Sequence, residues 1–483
     1  MLLSLRSLAS LGALLLSGSS AAAAAIDTTG QLPLLPRQSD GGQWPYAPWS
    51  TDGRDVKNAR GQSVTPVGFN WPGSGETMVP EGLRYVGATT TVKRLADLGF
   101  NFARHTYAIQ MIDEIYENNG TDITLERAFL NGLGSNGTRV LQEILDKNAD
   151  MGWTKETTRL QVWDSLAKLE AEHGIVMHPD VHVSKAKWCC GNDDGNAWFG
   201  DLYFDIENWK RGLGYMANWA KNHTNVVSMS LHNELRPATG RPEAEYTWLT
   251  WAGNMTAGAD AIHEANSDLL ITFSGLQYDQ DLSAVVQEAN LNIATAFKID
   301  PVRDGRRREP VYFKIDEHPW ADKAVLELHL YDQSADADTG SCDAIQAQLY
   351  YYGFSALGMD PPSGCAKEGE QDDTKYPCPA PARKTPVWLT EFGQAQDSTL
   401  NNATLANCLR EFTIDHKIGW AVWSIAGSYY TRQGTQDLDD TWALLNHEWT
   451  DWRDEATIES YWKPYIAAMG TTNIEKNSTS STQ

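Results

Sequence analysis

From Val64 onward the chain alternates short β-branched runs with amphipathic stretches, and this alternation limits its architecture more than any other feature of the sequence. Eight runs read as strands: VTPVGFN, NFARH, IVMHPDVH, VVSMSLHNE, LLITF, AVLELHLY, TPVWLTE and GWAVWS. Between them, residues 158–174, 207–223, 245–265 and 404–417 place apolar side chains at i, i+3 and i+4, the period of a helix with one buried face. Strand followed by helix, repeated, argues a parallel sheet, because parallel neighbours need a crossover that a helix supplies. Eight such units, closed by a helix near 454–468, describe a single (β/α)8 TIM barrel of the α/β class with long βα-loop insertions at roughly 106–157, 274–320 and 332–385. A doubly wound open sheet is the alternative arrangement of the same units.

The ends of the chain read differently. Residues 1–25 set Arg6 before an apolar stretch and finish in small alanines, the pattern of a signal peptide. Residues 26–43 contain LPLLPRQSDGG and read as a linker or pro-segment, so folded structure is expected over 44–470. The polar residues 471–483 read as a disordered tail. Beyond the leader no apolar run reaches the ~18 residues of a membrane span, so a secreted, extracellular protein without membrane contact is expected. Asn-x-Ser/Thr acceptors at Asn119, Asn136, Asn222, Asn254, Asn402 and Asn477 fit that route. The six cysteines should then be oxidised, with Cys342, Cys365 and Cys378 cross-linking the 332–385 insert to itself or its surroundings. At least one of the adjacent Cys189 and Cys190 is expected to find a distant partner. A formal net charge of -24 repels phosphate backbones, which speaks against nucleic acid as a partner. The 19 Trp and 18 Tyr exceed what a core needs, and flat amphipathic rings are suited to gripping the apolar faces of sugars.

Barrel enzymes carry their chemistry where strands end, and the polar residues closing the predicted strands are Arg104, His182, Asn233 with Glu234, His329 with Tyr331, Glu391, and Trp423. Two carboxylates on different strands, with an Asn, His, Tyr and Arg nearby, are the equipment for cutting a glycosidic bond. One acid protonates the leaving oxygen while the other carboxylate attacks or activates water. There is no GxSxG elbow, no HExxH and no CxxC spacing, so serine-based and metal-dependent hydrolysis lack support. His178 reads as a structural histidine, and Trp163, Trp219 and Trp420 fall on core faces. Trp71, Trp188, Trp198 and Trp423, at loops or strand ends, are the candidates for sugar stacking.

The segments GFNWPG, NFARHTYA, SLHNELRP, ELHLY and PVWLTEFG resemble glycoside hydrolase family 5, the cellulase family of the retaining (β/α)8 clan, over roughly residues 44–470. The resemblance implies that Glu234 is the acid/base and Glu391 the nucleophile, and that Asn233 holds the sugar 2-hydroxyl. It further implies that Arg104 and Tyr331 hydrogen-bond the nucleophile, that His182 and His329 line the catalytic subsite, and that Trp423 is the stacking floor. It implies a monomer that needs no cofactor or metal and acts on a β-linked polysaccharide or oligosaccharide, most simply as an endo-β-1,4-glucanase. Leu235 stands where many members have Pro. The loop 184–201 departs from the best-known bacterial cellulases and is similar to one in a fungal and plant-like branch. These departures leave room for a β-mannanase, a xylan-active enzyme or an exo-acting β-glucosidase or diglycosidase. A carbohydrate-binding barrel without catalysis is the reading of another class, and the presence of both Glu234 and Glu391 argues against it.

Overall fold

The computed structural model describes residues 44–296, 298–299, 309–332, 340–367, 370 and 375–470. The leader, the linker, the tail and the acceptor Asn477 lie outside them. All eight expected strands form: β1 (Val67–Trp71), β2 (Phe102–Ala108), β3 (Val176–Val183), β4 (Ser228–Ser230), β5 (Leu270–Phe273), β6 (Ala324–Leu330), β7 (Val387–Phe392) and β8 (Trp420–Val422). They run parallel in the order β3-β2-β1-β8-β7-β6-β5-β4. The two ends of that sheet meet through a parallel bridge between Met177 and Val226 and through the Asn233 N–H donating to Val181 O. The expected barrel is thus the observed one. Strands β1 and β2 approach closely at Gly68, where a Cβ would stand 1.7 Å from the Phe102 carbonyl oxygen.

Alternation along the strands stacks the interior in layers. Phe102, Val176, Val227, Leu270, Val325, Trp388 and Ala421, near the strand starts, form one apolar cluster that Trp49, Val56 and Val64 close from below. An N-terminal hairpin, Ser50–Asp52 paired with Asp55–Lys57, carries that plug. Two residues further along β2, β3 and β6 the inward positions become polar: Arg104, His178 and Glu327, and then Asp180, His182 and His329. The apolar plug therefore seals one mouth and leaves chemistry to the other. The opposite faces of the strands pack against helices in a single large core.

The expected helices occupy Arg159–His173, Ile206–Trp219, Trp248–Ala265 and Thr404–His416. The first starts at a capping box, Thr158 with Gln161, and stops at Gly174, whose φ of 78° is the left-handed stop that glycine tolerates. The closing helix is Glu455–Thr457 continuing through a wider turn, Ile458–Trp462, into Lys463–Met469. Three features exceed the sequence reading. A helix, Ala88–Leu98, makes the first crossover. The 106–157 insertion is largely helical, with Ile109–Glu117, Leu125–Leu133 and Gly137–Lys147 burying apolar faces. After β8, a hairpin of Ser428–Arg432 with Thr435–Asp439 stands over the polar mouth.

Every cysteine is paired. Cys342–Cys408 ties the 332–385 insertion to the helix Thr404–His416, and Cys365–Cys378 closes the insertion on itself, as expected. The expectation of a distant partner for Cys189 or Cys190 is corrected: the two bond to each other, their Cα atoms 3.1 Å apart across a cis peptide. The other four cysteines are consumed by their own pairs, so no distant sulfur remains for either.

Candidate active site

The polar mouth is a cleft of about 560 Å³ lined by Glu234, Glu391, His182, Tyr331, Trp423, Trp188 and the Cys189–Cys190 pair on the barrel side. Arg432, Asp439, Asp440 and Trp442 from the β8 hairpin and the segment after it form the facing wall. Arg104 anchors the floor. Fully buried on β2, it donates from Nη1 to Asn70 Oδ1 (2.8 Å) and Glu391 Oε2 (2.9 Å), and from Nη2 to Asn233 Oδ1 (2.7 Å). Its Nη2 also pairs with Asp180 Oδ1 at 3.0 Å. Burial alone would lower its pKa, but Asp180 and Glu391 outweigh that and raise it, so the guanidinium stays charged. Asp180 accepts in addition from Ser230 Oγ (2.6 Å) and His182 Nδ1 (2.8 Å). Burial would raise its carboxyl, yet Arg104 and His182 hold it well below the usual carboxylate range.

Glu391, at the end of β7, accepts from Arg104 on one oxygen and from Tyr331 Oη on the other at 2.6 Å. Burial, reinforced by the negative Glu391, raises the Tyr331 hydroxyl, so it remains a donor. Glu234 follows β4 with a left-handed φ of 46°, a conformation that a non-glycine residue adopts only when its surroundings enforce it. Here Asp279 Oδ2 takes the Glu234 N–H (2.9 Å) and Arg236 Nη1 donates to the Glu234 carbonyl (2.8 Å). Burial raises the Glu234 carboxyl, favouring its protonated form. His329 stands between the two carboxylates, its Nδ1 3.1 Å from Glu234 Oε1 and 3.9 Å from Glu391 Oε2. Burial lowers its pKa to about 3, so the ring is neutral.

Trp423 closes β8 and stacks parallel to the His182 ring, centroids 5.4 Å apart and planes 5° off. Trp188 meets Trp423 edge-on at 6.2 Å and carries the Arg432 guanidinium 3.6 Å above its ring, with Arg432 bonded to Asp440 at 2.7 Å. His178 is structural as expected, bonding Ser228 Oγ at 2.8 Å below the site.

Two stacking candidates are corrected. Asn70 takes the inward position on β1, so alternation turns Trp71 to the helix side. There it is fully buried against His105 and Trp449 and donates to Glu81 O. Trp198 is likewise fully buried, donating to Glu245 O and packing on Phe199 and Tyr246. Neither ring reaches the cleft. Residues absent from the sequence reading also shape the site. Asp180 and Glu327 lie beneath it, Asp279 sits behind Glu234, and Trp442 stands 5.7 Å from the Tyr331 ring. Glu327 accepts from Thr272 and Thr390, and burial pushes its carboxyl up to about 7.

A parallel barrel whose polar mouth holds two carboxylates, one gripped by an Arg and a Tyr and the other buried beside a neutral His, is the scaffold of a glycosyl hydrolase. Residues 59–428 match the family model described as "Cellulase (glycosyl hydrolase family 5)". A "Glycosyl hydrolase 5 family protein" of Chamaecyparis obtusa is 31% identical over 400 residues, 82% of this chain and 62% of that relative, so the chain spans under two thirds of its length. The chain belongs to glycosyl hydrolase family 5. Among solved structures it resembles an endocellulase from Pyrococcus horikoshii (TM-score 0.59, 16% identity, 89% of this chain and 100% of that one). It also resembles the catalytic domain of the major endoglucanase from Xanthomonas campestris pv. campestris (TM-score 0.56, 15% identity, 87% and 99%). At these identities the likeness establishes the shared fold.

Proposed function

We propose that this glycosyl hydrolase is a secreted, retaining enzyme that cleaves β-linked glucan internally, with Glu391 as nucleophile and Glu234 as acid/base. The carboxylate pair carries the reading: Glu234 and Glu391 present oxygens within 4.8 Å of each other and of a His329 nitrogen. Retaining enzymes hold their carboxyl groups about 5–5.5 Å apart, whereas inverting enzymes need about 6.5–9.5 Å to admit a water between them.

The steps follow from the contacts. Glu234, whose protonated form burial favours, gives its proton to the glycosidic oxygen as Glu391, oriented by Arg104 and Tyr331, attacks the anomeric carbon. The glycosyl–Glu391 ester forms and the leaving sugar departs with the Glu234 proton. Glu234, now a carboxylate, takes a proton from water, and the hydroxide oxygen displaces Glu391 with a second inversion, so configuration is retained overall. Asn233, held by Arg104, faces the sugar 2-hydroxyl, and Trp423 supports the ring face. The Pyrococcus horikoshii endocellulase has been crystallised with cellotetraose, which supports a β-glucan substrate here. The alanine-ended leader and three disulfides support export into an oxidising compartment.

The test is a panel of β-1,4-glucan, β-mannan, xylan and aryl β-glucosides, scored for reducing ends and product length. Cello-oligosaccharides of mixed length from glucan are expected. Release of monosaccharide alone, or turnover confined to mannan or xylan, would overturn the substrate assignment.

A further inference from the structure

The disulfide Cys189–Cys190 does not serve the purpose of the other two. A cross-link stabilises chiefly by shortening the loops open to the unfolded chain, and its effect grows with the residues enclosed. Cys342–Cys408 and Cys365–Cys378 span sequence separations of 66 and 13, whereas Cys189–Cys190 spans 1 and closes no loop. It lies in the wall of the cleft that holds Glu234 and Glu391, half-buried, beside two residues of the site.

The sulfurs stand against hydrogen-bonding groups without satisfying them. Asn233 Nδ2 has Cys190 Sγ at 3.5 Å and Cys189 Sγ at 3.9 Å, and sulfur is a weak acceptor. His182 Nε2 has Cys189 Sγ at 3.3 Å. In the tautomer that donates from Nδ1 to Asp180, Nε2 carries the lone pair, and a disulfide sulfur has no proton to offer it. One donor and one acceptor are thus oriented by sulfur and left uncommitted. Their other ends are fixed: Asn233 Oδ1 by Arg104, and His182 by Asp180 and the Trp423 ring.

We propose that the Cys189–Cys190 disulfide is a specificity-determining wall of the sugar subsite at the cleavage point, holding Asn233 and His182 in place while leaving Asn233 Nδ2 to donate to, and His182 Nε2 to accept from, the hydroxyls of the bound ring. This deepens the carbohydrate reading above and rests on it. Free thiols would change the arrangement, because an S–H at Cys189 donates to His182 Nε2 and competes with the sugar.

The experiment compares the wild-type protein with C189A/C190A and C189S/C190S, using an aryl β-cellobioside for kcat and KM, calorimetric binding of cellotetraose, and the thermal midpoint. The serine hydroxyls bond His182 and Asn233 directly, so KM should rise on the order of tenfold or more, a lost hydrogen bond's worth, and rise less with alanine. The midpoint should move little, because no loop is opened. As a second route, a water-soluble phosphine reduces the S–S bond to two thiols and leaves as its oxide, water supplying the oxygen and both protons. It should raise KM in the wild-type protein and not in C189A/C190A. KM at the wild-type value in both variants and after reduction overturns the proposal, as does a lowered midpoint with unchanged KM, the mark of a mere staple. A wild-type protein that turns over no β-glycoside but binds cellotetraose more tightly than either variant would sink the catalytic reading and keep this one.

Discussion

Replacing Arg104 with Met keeps the length of the side chain and removes the guanidinium donors from the centre of the site. In the native protein this guanidinium has no exposed surface and holds Asp180, Glu391, Asn233 and Asn70 at 2.7–3.0 Å. Without it the buried Asp180 loses its cation, and stripping one partner from a buried pair costs about 3–5 kcal/mol. An unfolding entropy near 2.1 cal/mol/K per residue over roughly 400 folded residues gives about 0.85 kcal/mol/K, so the midpoint should fall by about 4–6 °C at pH 7. The pH dependence has a definite sign. Asp180 is depressed in the native protein, so its contribution is present above the ordinary aspartate pKa and lost as pH falls through the depressed folded value. In Arg104→Met burial dominates and the Asp180 carboxyl rises, which destabilises at neutral pH and is relieved by protonation. The gap between the two proteins should therefore narrow on going from pH 7 to pH 4.5 in scanning calorimetry. Activity should drop on the order of 10²–10³-fold even where the fold persists, because Glu391 loses one of its two donors. A midpoint unchanged at pH 7, or a gap that ignores pH, would refute the reasoning.

Trp423→Ala should raise KM and lower kcat with the midpoint nearly unchanged, and Trp423→Phe should be milder, because the ring face both binds and orients the sugar; steady-state kinetics of both variants checks this. Glu327, its folded pKa near 7 against a lower unfolded value, binds its proton more tightly when folded, so its contribution is full at low pH and fades as pH rises toward 7. Glu327→Gln should flatten that part of the wild-type decline in midpoint between pH 5 and 7.5. Among the disulfides, loop length orders the effects: C342S/C408S should lose about 4 kcal/mol and C365S/C378S about 3 kcal/mol in denaturant titrations, the longer closure being worth more.

The residues that meet in the cleft were legible because two rules of strand geometry coincide. Side chains alternate, and a parallel barrel exposes its interior positions at the strand ends. Arg104, His182, His329, Tyr331 and Trp423 satisfy both, whereas Asn233 and Glu234 are neighbours past the end of β4, Glu234 turned by its left-handed φ of 46°, and Glu391 reaches the cleft after a register shift between β6 and β7. The same alternation, applied one residue earlier on β1, puts Asn70 inward and Trp71 against the helices, so a strand-end position alone does not bring Trp71 into the cleft. Asp180 in HPDVH and Glu327 in LELHL are charges at inward positions and carried a usable signal. Asp279 did not, since its role arises only when the loop after β5 folds back onto Glu234. The β8 hairpin was written in the Gln433–Gly434 pair, whose φ values of 52° and 77° make the two-residue turn, but the flanking strands YYTR and TQDLD lack a clear apolar alternation. The Cys189–Cys190 bond depends on local backbone geometry that spacing alone does not reveal.

The most direct test of the account is the anomeric configuration of the first product released from cellotetraose, followed by proton nuclear magnetic resonance before mutarotation sets in. Carboxylate oxygens within 4.8 Å fit the closer spacing of a retaining pair, and the account requires the β-anomer to appear first and the α-anomer to grow in only by mutarotation. An α-anomer in the earliest spectra would mean direct attack by water, and the assignment of Glu391 as nucleophile and Glu234 as acid/base would be wrong.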